Sequence, residues 1–128
     1  MKPEELKYTK THEWVAVDGD IATIGITDFA VHLLSDLVYA ELPIVGKSLI
    51  QGQPFGEVES VKAVSDLYAP MSGVVTDRNA ILSDHLDLLT QDPFGAGLMI
   101  KVCLADAKEL ANLLDYQAYK AHCDSNSH

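Results

Sequence analysis

The sequence predicts a mainly β fold, a sandwich or barrel of short strands with one helix in the N-terminal half and helical structure at the C-terminal end. Two observations carry that prediction. Short runs of β-branched and other apolar residues recur along the 128-residue chain, separated by glycine or proline turns, which is the spacing of small all-β folds. Towards the C-terminal end the pattern changes, and Leu110, Leu113 and Leu114 recur at helical spacing.

Residues 14–17 and 21–26 are strand-like and are joined by Asp18-Gly19-Asp20, where Gly19 supplies the positive φ of a tight turn. Thr27 or Asp28 then caps a short helix with Phe29, Leu33 and Leu34 on one face, expected to cover one end of the barrel. Strands follow at 37–42, 48–50, 55–61, 64–69, 74–76 and 98–104. Asp106 and Glu109 form an N-terminal capping pair from which a terminal helix is expected to start. Residues 123–128 show no periodicity and are expected to fray. Leu42-Pro43-Ile44-Val45-Gly46 and Ala69-Pro70-Met71-Ser72-Gly73 share Pro-x-x-Gly, each after one strand and before another. They read either as marks of two similar β-units or as common turn chemistry.

Length and 48% hydrophobic content suffice for one domain over residues 1–128, burying about two thirds of its unfolded surface. A net charge of −10 repels phosphate backbones and anionic lipid, which argues against nucleic-acid and membrane partners and suits basic partner surfaces. No apolar run approaches transmembrane length, and residues 1–10 lack the apolar core of a signal peptide. A soluble protein of the bacterial cytoplasm is expected, or a mature form in the mitochondrial matrix. Cys103 and Cys123 form no C-x-x-C, so neither a zinc site nor a disulfide framework is indicated, and Cys103 is expected to be inert packing within a strand. The five histidines are scattered without metal-ligand spacing, and no P-loop, dinucleotide fingerprint or Gly-x-Ser-x-Gly occurs. The chain assigns no nucleophile and base, and is expected to be neither an enzyme nor a metal protein.

Lys62 is the residue singled out for function. It lies in Val58-Glu59-Ser60-Val61-Lys62-Ala63-Val64-Ser65-Asp66, between two strand-like runs, and so at the tip of a predicted hairpin. A solvated tip lysine lacks the burial or neighbouring cation that makes a catalytic base, but it is open to acylation by another enzyme. It is expected to be an attachment point. Glu57 and Glu59 alternate on the preceding strand and share a face, either as a solvated edge or as a recognition feature for that enzyme.

Around this lysine the sequence resembles the H protein of the glycine cleavage system. The blocks that carry the resemblance are Tyr8-Thr9-Lys10-Thr11-His12-Glu13-Trp14, Ala22-Thr23-Ile24-Gly25-Ile26-Thr27-Asp28, Glu41-Leu42-Pro43, Phe55-Gly56-Glu57-Val58-Glu59-Ser60-Val61-Lys62-Ala63 and Ser65-Asp66-Leu67-Tyr68-Ala69-Pro70. Asp92-Pro93-Phe94-Gly95 and Leu113-Leu114-Asp115 before Tyr119 extend it. Several collinear blocks are far more specific than one lysine motif. The resemblance implies a flattened barrel of the lipoyl/biotinyl-carrier type with added helical ends, with lipoic acid in amide linkage on Lys62. It also implies the partners: a pyridoxal-phosphate glycine decarboxylase, a tetrahydrofolate-dependent aminomethyltransferase, an FAD dihydrolipoamide dehydrogenase and a lipoyl-attaching enzyme. The chain is then a non-catalytic shuttle of an aminomethyl group. The same resemblance makes Glu13, Thr11 and Asp66 candidates for a cleft that shelters the cationic loaded arm, with Glu59 for recognition by the attaching enzyme. The plainer readings are a solvated carboxylate at Glu13 and a turn cap at Asp66, while Trp14 reads as core.

Some positions depart from the family pattern. Leu98 stands at a usual tryptophan, Leu86 at a usual proline, Thr90 at a usual asparagine, and Val64 at a smaller residue. They leave open an H-like relay protein that passes lipoyl groups to 2-oxoacid dehydrogenases. A biotin carrier is disfavoured, because Val61 and Ala63 flank the lysine where biotin sites carry methionine.

Overall fold

The computed structural model describes residues 2–34 and 36–126 and consists of two antiparallel sheets with short helices at their margins. The strands are β1 (Lys7–Tyr8), β2 (Glu13–Asp18), β3 (Ile21–Ile26), β4 (Leu37–Glu41), β5 (Ser48–Leu49), β6 (Pro54–Ser60), β7 (Val64–Tyr68), β8 (Gly73–Arg78) and β9 (Ile100–Leu104). The larger sheet runs β1-β2-β3-β9-β8-β5 and the smaller β4-β6-β7. Both Pro-x-x-Gly segments carry the chain from the smaller sheet to the larger, β4 to β5 and β7 to β8, and β5 then pairs antiparallel with β8 through Ser48–Val74 and Leu49–Gly73. The shared motif therefore marks equivalent crossings in two β-units.

Alternation along the strands fills the space between the sheets. Val15, Ile24, Val75, Ile100 and Val102 from the larger sheet meet Ala40, Phe55, Val58 and Leu67 from the smaller, with Leu82 and Leu89 closing the margin. Residues of the other parity on β1 and β2 face outward, where Tyr8 and Trp14 would be exposed without a cover. Tyr119 and Cys123 of the last helix supply it, so Trp14 is fully buried, with its indole N–H donating to the Pro93 carbonyl at 3.0 Å.

Thr27 caps α1 (Asp28–Leu34), its hydroxyl accepting the Ala30 N–H at 3.2 Å. The buried face of α1 is Ala30 and Val31 with Leu34 partly covered, whereas Leu33 is exposed; the expected Phe29–Leu33–Leu34 face is corrected because α1 also packs on α2 (Asp87–Gln91). Asp106 does cap the segment after β9, accepting the Lys108 N–H. That segment is a 3-10 turn, Ala107–Asn112, because the Glu109 carboxylate bonds the Ser72 N–H and hydroxyl, both at 2.7 Å, rather than closing a capping box. Leu113 is extended and Leu114 forms a two-way bridge to Tyr8, so the last helix, α3 (Tyr116–Asn126), starts later, with the Asp115 carboxylate accepting the Ala118 N–H. Cys123–Asn126 continue α3 instead of fraying, since Cys123 is buried against the Tyr8–Trp14 cluster; Ser127 and His128 lie outside the described residues. Cys103 does lie in a strand, β9, but its side chain faces solvent, because the core-facing parity there belongs to Ile100 and Val102. Leu98 and Met99 precede β9 rather than belong to it.

Candidate functional site

β6 and β7 form the predicted hairpin, with Lys62 exposed at its tip. Ser60 makes the tip a defined turn. Its N–H donates to the Ala63 carbonyl at 2.8 Å, while its hydroxyl oxygen accepts the Lys62 N–H at 3.3 Å and the Ala63 N–H at 3.1 Å. The Val61 N–H donates to the Asp36 carbonyl at 3.0 Å, which ties the turn to the start of β4. The backbone is held from three sides while Val61 and Val64, 70% and 59% exposed, flank the lysine in solvent. Ser60 was not singled out from sequence; its serine-turn chemistry two residues before the lysine was the available signal.

The outward face of the smaller sheet is acidic. Register places Tyr39, Glu59 and Val64 in one row and Glu41, Glu57 and Asp66 in the next. Glu57 and Glu59 share a face as expected, and Asp66 joins them opposite Glu57 on exposed β7. Desolvation pushes the Glu57 carboxyl up from its ordinary value, followed by repulsion from Glu41, Glu59 and Asp66.

Glu13 has a different environment. It starts β2 at 1% exposure, and its carboxylate receives the hydroxyls of Thr9, at 2.6 Å, and Thr11. The backbone of Tyr68, the last residue of β7, also supports it. Burial nevertheless dominates and pushes the carboxyl up to about 7, against the lowering by Thr11, Thr9 and the Tyr68 backbone. Thr11 and Glu13 are thus brought together, and β7 connects them to the lysine tip. Thr9, Thr11 and Tyr68 also line a cleft of about 470 Å³ with Tyr8, Gln51 and Leu114. Thr9 was missed from sequence because its role depends on a turn that folds it back onto Glu13, whose own N–H donates to the Thr9 hydroxyl at 3.0 Å.

That turn is held by His12, whose φ is +76° and whose Nδ1 lies 2.8 Å from the Tyr119 hydroxyl. The same hydroxyl lies 2.7 Å from Thr27 Oγ1, which is fully buried. Burial lowers the His12 imidazole below its ordinary value, and His122 nearby adds to this. Among the described residues no three His, Cys, Asp or Glu side chains gather into a metal-holding group, and no helix is long and apolar enough to cross a membrane.

Known proteins match along the length of this arrangement. The family described as Glycine cleavage H-protein matches residues 6–126. The glycine cleavage system H protein of Symbiobacterium thermophilum is 51% identical over 119 residues, 93% of each chain. That of Carboxydothermus hydrogenoformans is 50% identical over 118 residues, covering 92% of this chain and 91% of its own. The crystal structure of a glycine cleavage system H protein from Mycobacterium marinum superposes with a TM-score of 0.86 at 37% identity, covering 99% of this chain and 100% of that one. Sequence and fold agree, and the chain belongs to the glycine cleavage H-protein family, the carrier proteins of glycine cleavage.

Proposed function

We propose that Lys62 carries a lipoyl group in amide linkage and that the chain moves a glycine-derived aminomethyl group between enzymes without catalysing any step itself. The observation that carries this reading is a lysine at the centre of a pinned three-residue tip, 61–63, with its side chain free in solvent, in a chain of this family. Acylation removes the ammonium charge from the tip, which the exposed Val61 and Val64 tolerate without loss of packing. Attached there, the group supplies a cyclic disulfide, a two-electron couple that accepts a carbon nucleophile at sulfur. The chain supplies presentation. Ser60 holds the turn, Glu59 and the acidic rows beside it orient the lipoyl-attaching enzyme, and Glu13 with Thr11 offers an anionic berth for the ammonium of a loaded arm; Asp66 adds negative charge along β7, between tip and berth. Partial burial strengthens a carboxylate–ammonium pair relative to water, and that pair draws the Glu13 proton off.

The partners in this reading are glycine decarboxylase with pyridoxal phosphate, aminomethyltransferase with tetrahydrofolate, and dihydrolipoamide dehydrogenase with FAD. The compartment is the bacterial cytoplasm, in keeping with bacterial relatives such as those above. The test is intact mass and peptide mapping of protein co-expressed with a lipoate-attaching enzyme. A single lipoyl increment on Lys62, followed by glycine-dependent exchange of carboxyl carbon with bicarbonate in the presence of the decarboxylase, is expected. An increment on another lysine, or none, refutes the assignment.

A further inference from the structure

We propose that Tyr119 is a positioning residue for the Glu13 carboxyl: its hydroxyl, shared by His12 and Thr27, holds the left-handed His12 backbone and so fixes the loop 9–13 that aims two threonine hydroxyls at that carboxyl. The functional meaning of this relation rests on Glu13 being the berth for the loaded arm; the relation itself does not.

The loop has a conformation it cannot keep alone. His12 is the one non-glycine residue with positive φ among the described residues, at +76°, a region that L side chains occupy only where their surroundings hold them. Its neighbours do so. The His12 carbonyl accepts the Thr27 N–H at 3.0 Å, and its ring lies 4.8 Å from that of Phe29 and meets the edge of Tyr119 at 5.7 Å. Two residues earlier, His122 Nε2 donates to the Lys10 carbonyl at 2.9 Å. Helix α3 therefore grips the loop at two points, Lys10 and His12, which bracket Thr11. Between these grips the loop closes on Glu13, the Thr9 N–H donating to the Glu13 carbonyl at 2.9 Å while Thr9 and Thr11 donate to its side chain.

One order of protons pairs the hydroxyls from Thr27 to His12. Thr27 Oγ1 accepts the Ala30 N–H and gives its own proton to the Tyr119 oxygen, and the Tyr119 proton goes to His12 Nδ1, with the Cys123 thiol a further partner of that hydroxyl. This order needs a neutral His12 with Nδ1 as acceptor, the form that its burial favours. A protonated His12 donates from Nδ1 to the Tyr119 oxygen instead and breaks that order. Tyr119 can lose its oxygen without losing its place, because its ring stacks on Tyr8 at 4.4 Å with planes 7° apart.

The test is a carbon-13 titration of the glutamate carboxyls in the full unmodified chain. Thr11→Val calibrates the loss of one donor. Tyr119→Phe, still folded, is expected to raise the Glu13 midpoint by about one pH unit in the same direction, since aligned hydroxyls favour the ionised form. His12→Asn in the Tyr119→Phe background is expected to recover part of that rise, because asparagine tolerates the left-handed backbone better than histidine. In lipoylated, aminomethyl-loaded protein, Tyr119→Phe is expected to lose the aminomethyl group roughly two- to tenfold faster. A folded Tyr119→Phe protein with an unmoved Glu13 midpoint overturns the proposal, whatever the arm does. Glu13→Gln that keeps its aminomethyl group as long as wild type instead overturns the berth reading, and leaves positioning to be judged by the titration.

Discussion

The Ser60 hydroxyl sits beneath the Lys62 backbone, accepting the Lys62 N–H at 3.3 Å and the next N–H, of Ala63, at 3.1 Å, while its own residue is only 8% exposed. One oxygen thus satisfies two amides that the short tip leaves unpaired. Ser60→Ala leaves them to water, which is expected to cost about 1 kcal/mol of stability and to broaden the positions that the tip samples. An attaching enzyme that reads a fixed turn should then acylate Lys62 several-fold more slowly, with Ser60→Thr close to wild type. Time-resolved intact mass checks this; equal acylation rates for Ser60→Ala and wild type would show that the turn geometry is not read.

Lys62→Arg separates attachment from folding. The side chain is exposed at a tip held through backbone groups, so the melting temperature is expected to stay within about 2 °C. Guanidinium is not acylated under these conditions, and the lipoyl mass increment should vanish completely. A residual increment in Lys62→Arg would place attachment elsewhere.

Glu13 makes stability depend on pH. Its carboxyl is raised from 4.5 to about 7 in the folded chain, so the folded state holds a proton that the unfolded state releases between those values. Its contribution is most favourable below about pH 4.5 and is lost as pH rises to 7, by roughly 3 kcal/mol at most. Glu13→Gln removes this term. The variant is expected to gain stability relative to wild type between pH 5 and 8 and to be flat above pH 8. Urea denaturation across that range is the measurement, and a constant difference between the two proteins would contradict the raised carboxyl.

The hairpins, the sheet crossings at Pro43 and Pro70 and the lysine tip were legible in the sequence because each depends on neighbours a few residues away. The capping pair at Asp106 and Glu109 was only half right, since Glu109 finds Ser72 across the fold and the capping box never closes. Local propensity cannot register such a competitor. The same limit hid the helical residues 123–126, where Cys123 is held by Tyr8 and Trp14 from the first strands. β1 is two residues long, and α2 lacks a side-chain cap, so neither leaves a periodic pattern to read. At the site, Lys62 was named from its hairpin tip, and Thr11 and Glu13 through family resemblance, whereas Ser60, Thr9 and Tyr119 act through contacts that exist only once the chain is folded.

The acidic rows on the smaller sheet give a prediction in kinetics rather than stability. Glu57 is repelled by Glu41 and Asp66 on the strands to either side, and Glu59 lies beside it, three residues before Lys62. Changing Glu57 to Gln relieves repulsion and should leave the melting temperature unchanged or slightly higher. Changing Glu59 to Gln, by contrast, is expected to slow association with the attaching enzyme several-fold at low salt, with the difference shrinking as ionic strength rises. Salt-independent rates for Glu59→Gln and wild type alike would remove charge from the recognition.

Behind the berth, Gly25 faces Trp14 across the β2–β3 ladder, and an added Cβ would lie 2.7 Å from indole carbons Cε2 and Cζ2 and 2.8 Å from Nε1. The ring has no room to retreat, being fully buried and fixed by its N–H to the Pro93 carbonyl. Gly25→Ala is therefore expected to cost about 2–3 kcal/mol, the upper part of the range for overpacking a filled core. Trp14 follows Glu13 on β2, so the displaced strand also disturbs the carboxyl's register. A double-mutant cycle with Trp14→Leu isolates the contact, because the shorter side chain vacates the atoms that the new methyl meets. The alanine should cost at least 1 kcal/mol less in that background, and equal costs in both would show that the strand, not the indole, rejects the methyl.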